Sequence, residues 1–230
     1  MKTRKFLIFL MLGITLGFLS GCNFLDDDDN NSTLKDAWVG FGLIQKDSTS
    51  DSFTIELDNG SILIPSNVSY WKDDVHNNQR VLANFTMLGD QQRPDSTKQY
   101  DVKLNSLRNI LYKGILDITP AMEDSIGNDP IFVKDHWQNK NMLNFELQYL
   151  GGSKIHYINL VKQPTASATE PVVLELRHNN NDDLEHINMS AVVTFDLSSL
   201  KVAGKDSVTF KVVAKGFNNY NFEYTGVYKY

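Results

Sequence analysis

Residues 53–64 of this 230-residue chain narrow its fold more than any other stretch. Phe53, Ile55 and Leu57 alternate with Thr54, Glu56 and Asp58; Asn59-Gly60 follows at once, and Ile62 and Ile64 resume beyond it. A period of two is that of a strand with one face buried. Asn-Gly between two such runs is a strong short hairpin signal, because its turn residues take positive φ. Pro65 ends the second strand, since proline cannot donate to a ladder.

The same period recurs along the chain. Trp38–Ile44 reads as a first strand, with Gly40 and Gly42 allowing a bend. Arg80–Leu88 and Tyr100–Leu104 are further strands, and Ser66–Gln79 is a polar loop holding Tyr70, Trp71 and His76. Asn105–Ile118 is ambiguous. Leu107, Ile110, Leu111 and Gly114 fit a short helical turn, while Tyr112–Ile118 fits a strand. Five or six short strands in so few residues predict a small barrel. Pro120, Gly127, Asn128 and Pro130 then change the character of the chain and set an expected domain boundary between 119 and 120. Beyond it, Phe145–Tyr149, Ile155–Leu160, Val172–Arg177, Val193–Leu197, Val208–Ala214 and Tyr220–Tyr230 alternate again, with turns at Gly151-Gly152 and Asn179–Asp183. Regular strands separated by turn signals predict a sandwich. The expected class is therefore all-β, a barrel domain over 37–119 and a β-sandwich over 120–230.

The first 36 residues are different. Lys2, Arg4 and Lys5 precede an apolar run from Phe6 to Phe18, and small residues follow at Ser20 and Gly21. This is the layout of a secretory signal peptide, expected over 1–21. The run is too short to span a hydrocarbon core of about 30 Å as a helix. The chain has one cysteine, Cys22, so an intramolecular disulfide framework is excluded. Leu19-Ser20-Gly21-Cys22 resembles the bacterial lipobox, which implies cleavage before Cys22 and a thioether-linked diacylglycerol on it. Asp26, Asp27, Asp28 and Asp29 follow, within an expected acidic tether over 22–36. Like charges with nothing apolar to bury form a solvated tether. An acidic run just behind the lipidated cysteine also resembles the export signal of Bacteroidetes surface lipoproteins. Asn23 does not match the inner-membrane retention pattern. The expected location is the outer membrane, lipid-anchored, either surface-exposed or periplasm-facing, the cell surface being favoured.

Cleavage removes three basic residues, taking Lys+Arg from 22 to 19 against 28 Asp+Glu, a mature net charge of −9. That balance argues against nucleic acid as a partner. No phosphate-cradling glycine loop, Gly-x-Ser-x-Gly elbow or His-x-x-x-His spacing occurs. Acylation consumes the one thiol. No catalytic residue, metal site or cofactor is expected, and a hydrolase acting through a pair of carboxylates is the weakest of the functional readings.

Several motifs, taken in order, resemble a known family. Asp58-Asn59-Gly60 leading into Ile62-Leu63-Ile64-Pro65 is similar to the N-terminal half of NigD-like lipoproteins of Bacteroidetes. Asn128-Asp129-Pro130, His156, Leu174–Asn179 and Val193–Leu197 are similar to the C-terminal half. The resemblance spans nearly all of the mature chain. It implies an OB-like barrel followed by a β-sandwich, and a family context of bacteriocin loci, hence an immunity-like role as an alternative.

Candidate binding residues are Tyr70, Trp71, Trp137, His156, Arg177, His178 and Asn179. Tyr70-Trp71 and Trp137 stand in polar company, where an aromatic stacks on a sugar or a partner side chain, or else caps its own core or fills the domain seam. His156 is expected inside a strand as a structural histidine. His178 either joins Asp182 and Asp183 around a metal or bonds backbone beside a turn, the turn being favoured. The expected function is a binding or structural component of the cell envelope, with a protein or a glycan as partner.

Overall fold

The computed structural model describes residues 37–46, 49, 51–92, 98–163 and 171–230. The expected signal peptide, Cys22 and Asp26–Asp29 lie outside the described residues. No helix among the described residues is long and apolar enough to cross a membrane.

Five strands close a barrel: β1 (Ala37–Lys46), β2 (Phe53–Leu57), β3 (Ile62–Pro65), β4 (Arg80–Gln92) and β5 (Lys98–Asn109), in the order β1-β2-β3-β5-β4. All neighbours are antiparallel except β3 and β5. The odd residues Phe53, Ile55 and Leu57 point inward with Ile44, Leu63, Val81, Phe85, Val102 and Leu104, as the period of two requires. Bulges at Asn105 of β5 and at Leu88 of β4 add the local twist that a small barrel needs to close.

The β2–β3 turn differs from the expected two-residue form. Gly60 donates to Leu57 O at 2.8 Å and Leu57 donates to Ser61 O at 2.8 Å, so the loop is three residues, Asp58 to Gly60. Only Gly60 has positive φ, +82°. Asn59 instead accepts from Ser61 N at 2.9 Å. The longer loop puts Asp58 just past β2, where its backbone N–H still donates to Phe41 O at 2.9 Å and its side chain meets Arg80.

The ambiguous stretch 105–118 holds no helical turn at Leu107–Gly114: β5 runs to Asn109, and the strand reading over Tyr112–Ile118 is nearer the structure. The following residues correct the expected boundary. β6 (Leu111–Gly114) adds in parallel to the strand Ile187–Asp196 of one sandwich sheet, and β7 (Leu116–Asp117) adds in parallel to the strand Tyr157–Lys162 of the other. The chain thus passes from barrel to sandwich at Ile110. The Pro120–Gly127 stretch that marked the boundary in the sequence is a 3₁₀ turn and one short helix, α1 (Glu123–Ile126), inside the second domain.

The sandwich strands are β8 (Phe132–Asn139), β9 (Met142–Gly151), β10 (Tyr157–Lys162), β11 (Val172–Asn179), β12 (Ile187–Asp196), β13 (Ser207–Lys215) and β14 (Asn221–Lys229). One sheet has the order β14-β13-β11-β10-β7, the other β6-β12-β9-β8. Leu143, Phe145, Leu147, Leu160, Leu174, Phe195, Phe210 and Val212 fill the space between them. Side chains of this size each contribute about 2 kcal/mol on burial.

Barrel and sandwich lie in one compact unit, and a buried arginine joins them. The Arg80 side chain is fully enclosed. It donates to both carboxylate oxygens of Asp58, one at 2.6 Å, and to Asn144 Oδ1 on β9 at 3.1 Å. Thr194 Oγ1 donates to the same Asn144 oxygen at 2.7 Å, and Asn144 Nδ2 donates to Trp137 O at 3.2 Å. The guanidinium lies 5.5 Å from the Phe41 ring centre, and Phe41 packs on Trp137 at 5.4 Å between ring centres. Lys140 and Glu56 form an ion pair across the same seam.

Candidate functional site

The sequence candidates divide by where the fold puts them. Tyr70 is 81% exposed at the end of a 3₁₀ turn, whereas Trp71 turns inward onto the barrel core. They do not form a joint aromatic platform. Trp137 fills the domain seam described above. Arg177 is pinned: it donates to Glu175, to Gly127 O at 3.3 Å and to Glu123 at 3.1 Å. Asn179 donates to Ser125 O at 2.9 Å and accepts from Asn181 N at 2.7 Å. Both hold α1 against β11. Gly127 completes this contact, with φ +70° and space for no side chain, since a Cβ there would lie 2.7 Å from the Asn179 Cβ.

His156 and His178 come together, and they do so with Asp183. His156 stands just before β10, not inside it, which corrects the strand expected from Ile155. Its Nδ1 lies 2.9 Å from His178 Nε2, and its Nε2 lies 3.1 Å from Asp183 Oδ2. His178 Nδ1 faces Pro130 O at 3.2 Å. Asp183 also accepts from the backbone of Gly152 at 2.5 Å and Ser153 at 3.2 Å. The Tyr149 ring covers both imidazoles at about 5 Å between ring centres.

A carbonyl only accepts, so His178 carries a proton on Nδ1, and a carboxylate only accepts, so His156 carries one on Nε2. One further proton lies between His156 Nδ1 and His178 Nε2. Burial pushes the Asp183 carboxyl up, but the Gly152, His156, Leu184 and Ser153 donors outweigh it and hold the group well below the ordinary carboxylate range. Burial pushes His178 down, against the hydrogen bond to Pro130. All four imidazole nitrogens are engaged. The cluster therefore ties together the Gly151-Gly152 turn, the Asn179–Asp183 turn and the Asn128-Asp129-Pro130 segment, whose Asp129 bonds His178 O and Asn180 N. Among the described residues no group of three His, Cys, Asp or Glu stands where it could hold a metal ion.

His156 and Tyr149 also form part of the wall of a cleft of about 490 Å³ where barrel meets sandwich. Leu82 and Arg108 line it from the barrel, and Ser190, Ala191, Val192 and Val193 from β12. Four consecutive strand residues reach one cavity only along the edge of a strand, because successive side chains point to opposite faces. The edge is open there: β6 pairs β12 only over Val193–Asp196, while β9 pairs it from Ile187 onward. Sequence reasoning did not find this cleft. Asp183 lay in a turn already explained by its Asn and Asp content, and the open edge depends on how short β6 is.

The comparisons agree with this architecture. The family described as NigD-like N-terminal OB domain matches residues 41–110, and that described as NigD-like C-terminal beta sandwich domain matches residues 114–228. No curated protein sequence gives a significant match. Among solved structures, a candidate toxin-related protein from Parabacteroides distasonis ATCC 8503 is 27% identical with a TM-score of 0.69, over 84% of this chain and 94% of that one. A protein of unknown function from Bacteroides vulgatus ATCC 8482 is 23% identical with a TM-score of 0.67, over 84% and 90%. A NigD-like immunity protein from Bacteroides caccae ATCC 43185 is 22% identical with a TM-score of 0.61, over 81% and 91%.

Proposed function

Because this chain belongs to the NigD-like family, whose barrel and sandwich it carries in order, we propose that it is a lipid-anchored binding protein of the cell envelope that engages a protein or glycan partner at the barrel–sandwich cleft. The observation that carries this reading is the open edge of β12 along that cleft. An unpaired edge offers a row of backbone donors and acceptors, and proteins that do not use such an edge blunt or cover it. Here Arg108 and Glu146 flank the edge with charge, and Tyr149 and Ile158 supply apolar floor. A candidate lipoprotein from Bacteroides fragilis NCTC 9343 shares the fold, with a TM-score of 0.59. That likeness and the lipobox support an anchor on Cys22. The acidic run Asp26–Asp29 supports display on the outer face of the outer membrane.

No chemistry is assigned to the site. The imidazoles beside the cleft are committed to each other and to Asp183, which leaves no ring nitrogen to take a proton from a substrate.

Capture from solubilised envelope on the immobilised mature chain tests the reading, beside Ser190→Arg. Ser190 is exposed, so the variant keeps the fold while placing a long charge on the edge. A partner held by wild type and lost in the variant is expected. Equal capture by both overturns the cleft as the binding site.

A second reading is immunity against a bacteriocin. It is favoured by the immunity protein and the toxin-related protein among the structures of the same fold. A deletion strain killed by a neighbour's bacteriocin that spares the parent supports it; unchanged killing in every pairing refutes it.

A further inference from the structure

Exposed apolar side chains gather where the folded unit begins. Trp38 is 56% exposed, Val39 61%, Leu88 58% and Met87 36%. β1 and β4 are paired at this point, with Ala37 opposite Thr86 and Trp38 opposite Phe85. Trp38 and Val39 are successive residues of one strand, so they point to opposite faces of the ribbon. Met87 and Leu88 follow directly in the partner strand, at a bulge. The ribbon end is thus apolar on both of its faces. Contact with a flat protein surface would cover one face only, whereas immersion in an apolar medium covers both. On its inner side the ribbon opens into a cavity of about 390 Å³, lined by Trp38, Phe85, Met87 and Tyr100 at the mouth of the barrel.

The position of this end in the chain names the medium. Residues 23–36 alone lie between Cys22 and β1. A segment of that length reaches at most about 50 Å. With Cys22 in the membrane, the apolar ribbon end never leaves the neighbourhood of the lipid. Confinement of this kind gives an effective concentration in the millimolar range, so even weak partition holds the domain down. Tryptophan is also the side chain that sits best at the lipid–water boundary.

We propose that the β1/β4 ribbon end at the barrel mouth docks into the surface of the bilayer that carries the anchor, using Trp38, Val39, Met87 and Leu88 as a wedge. This rests on the lipid-anchor reading. The docking is apolar in origin, so added salt leaves it in place. The net negative charge of the mature chain makes it stronger on zwitterionic than on anionic lipid.

The single cysteine permits a test that does not depend on whether a cell acylates it. The mature chain is coupled through the Cys22 thiol to a maleimide lipid in phosphatidylcholine nanodiscs. Tryptophan emission is then compared with and without brominated acyl chains. Quenching is expected in the wild type, with loss of that quenching in Trp38→Phe and in Leu88→Glu, both checked for fold by circular dichroism. The same emission in brominated and plain discs, or equal quenching in wild type and Trp38→Phe, overturns the proposal. A concentration-dependent dimer in lipid-free solution that Leu88→Glu abolishes overturns it in favour of a second copy as the occupant. Lack of radiolabelled acyl chain on Cys22 in cells would refute the anchor reading alone, and the disc experiment separates the two.

Discussion

Asp58 and Arg80 form a forked ion pair between the β2–β3 turn and the start of β4, and the arginine then reaches out of the barrel to Asn144 in the sandwich. One side chain thus connects the turn motif of the first domain to the inner strand of the second. Removing Asp58 strands a buried guanidinium, which in comparable buried pairs costs about 3–5 kcal/mol. Asp58→Ala is expected to lose about 3 kcal/mol, since the carboxylate itself is partly exposed. Arg80→Met, which removes the charge with the pair, is expected to lose less. Urea denaturation of the two variants checks the order.

Two glycines with positive φ separate conformational cost from steric cost. Gly60 has open space where a side chain would go, and Gly127 has Asn179 there. Gly60→Ala is expected to cost about 1 kcal/mol from its backbone alone. Gly127→Ala is expected to cost at least about twice that, because Asn179 and α1 must move as well. Equal losses in thermal or denaturant unfolding would show that the Gly127 contact yields without strain.

Acid is expected to loosen the cluster around His156. Asp183 has a depressed pKa in the folded state, so its contribution is fully present above the ordinary carboxylate value near 3.8 and fades as pH falls below it. His178 is depressed from 6.5, so the unfolded chain takes up a proton that the folded one does not, and stability falls as pH drops below 6.5. Both effects have the same sign. Asp183→Asn is expected to flatten the melting-temperature profile below pH 5, and His178→Gln to flatten it between pH 5 and 7. Profiles parallel to wild type would remove the cluster from any part in acid sensitivity.

The two loop aromatics are expected to behave oppositely. Tyr70 is exposed, and Tyr70→Ala should change stability by less than about 0.5 kcal/mol. Trp71 packs on the barrel core, and Trp71→Ala should cost about 2–3 kcal/mol. Denaturation midpoints decide it.

The fold was legible where one face of a strand is buried. Phe53–Leu57, Phe145–Leu147 and Phe210–Ala214 alternate because their alternate residues enter a core, and the all-β class with barrel before sandwich follows from them. β8 was missed because Phe132–Asn139 is an edge strand with one fully buried side chain, Val133, so its alternation is faint. β6 and β7 fall in the stretch whose strand reading, Tyr112–Ile118, stood beside a helical turn, because four and two residues carry too little period to decide or to separate them. At the site, His156, His178 and Asn128-Asp129-Pro130 stood out as motif residues, but their meeting did not. Pairing of β10 with β11 sets Ile158 opposite His178, which brings His156 beside that ring. Asp183 then arrives on the turn beyond β11. Such contacts between residues 22 and 27 positions apart depend on strand order, and composition does not record it.

Photocrosslinking from the cleft in intact cells tests the central claim most directly. A benzophenone amino acid placed at Ser190, on the open edge of β12, is expected to form a defined adduct with an envelope protein or glycan. The same group at the exposed Thr209 of β13 should form none. An adduct at Thr209 and none at Ser190, or no adduct from any residue of the Ile187–Val192 edge, would contradict the cleft as the place where this protein meets its partner.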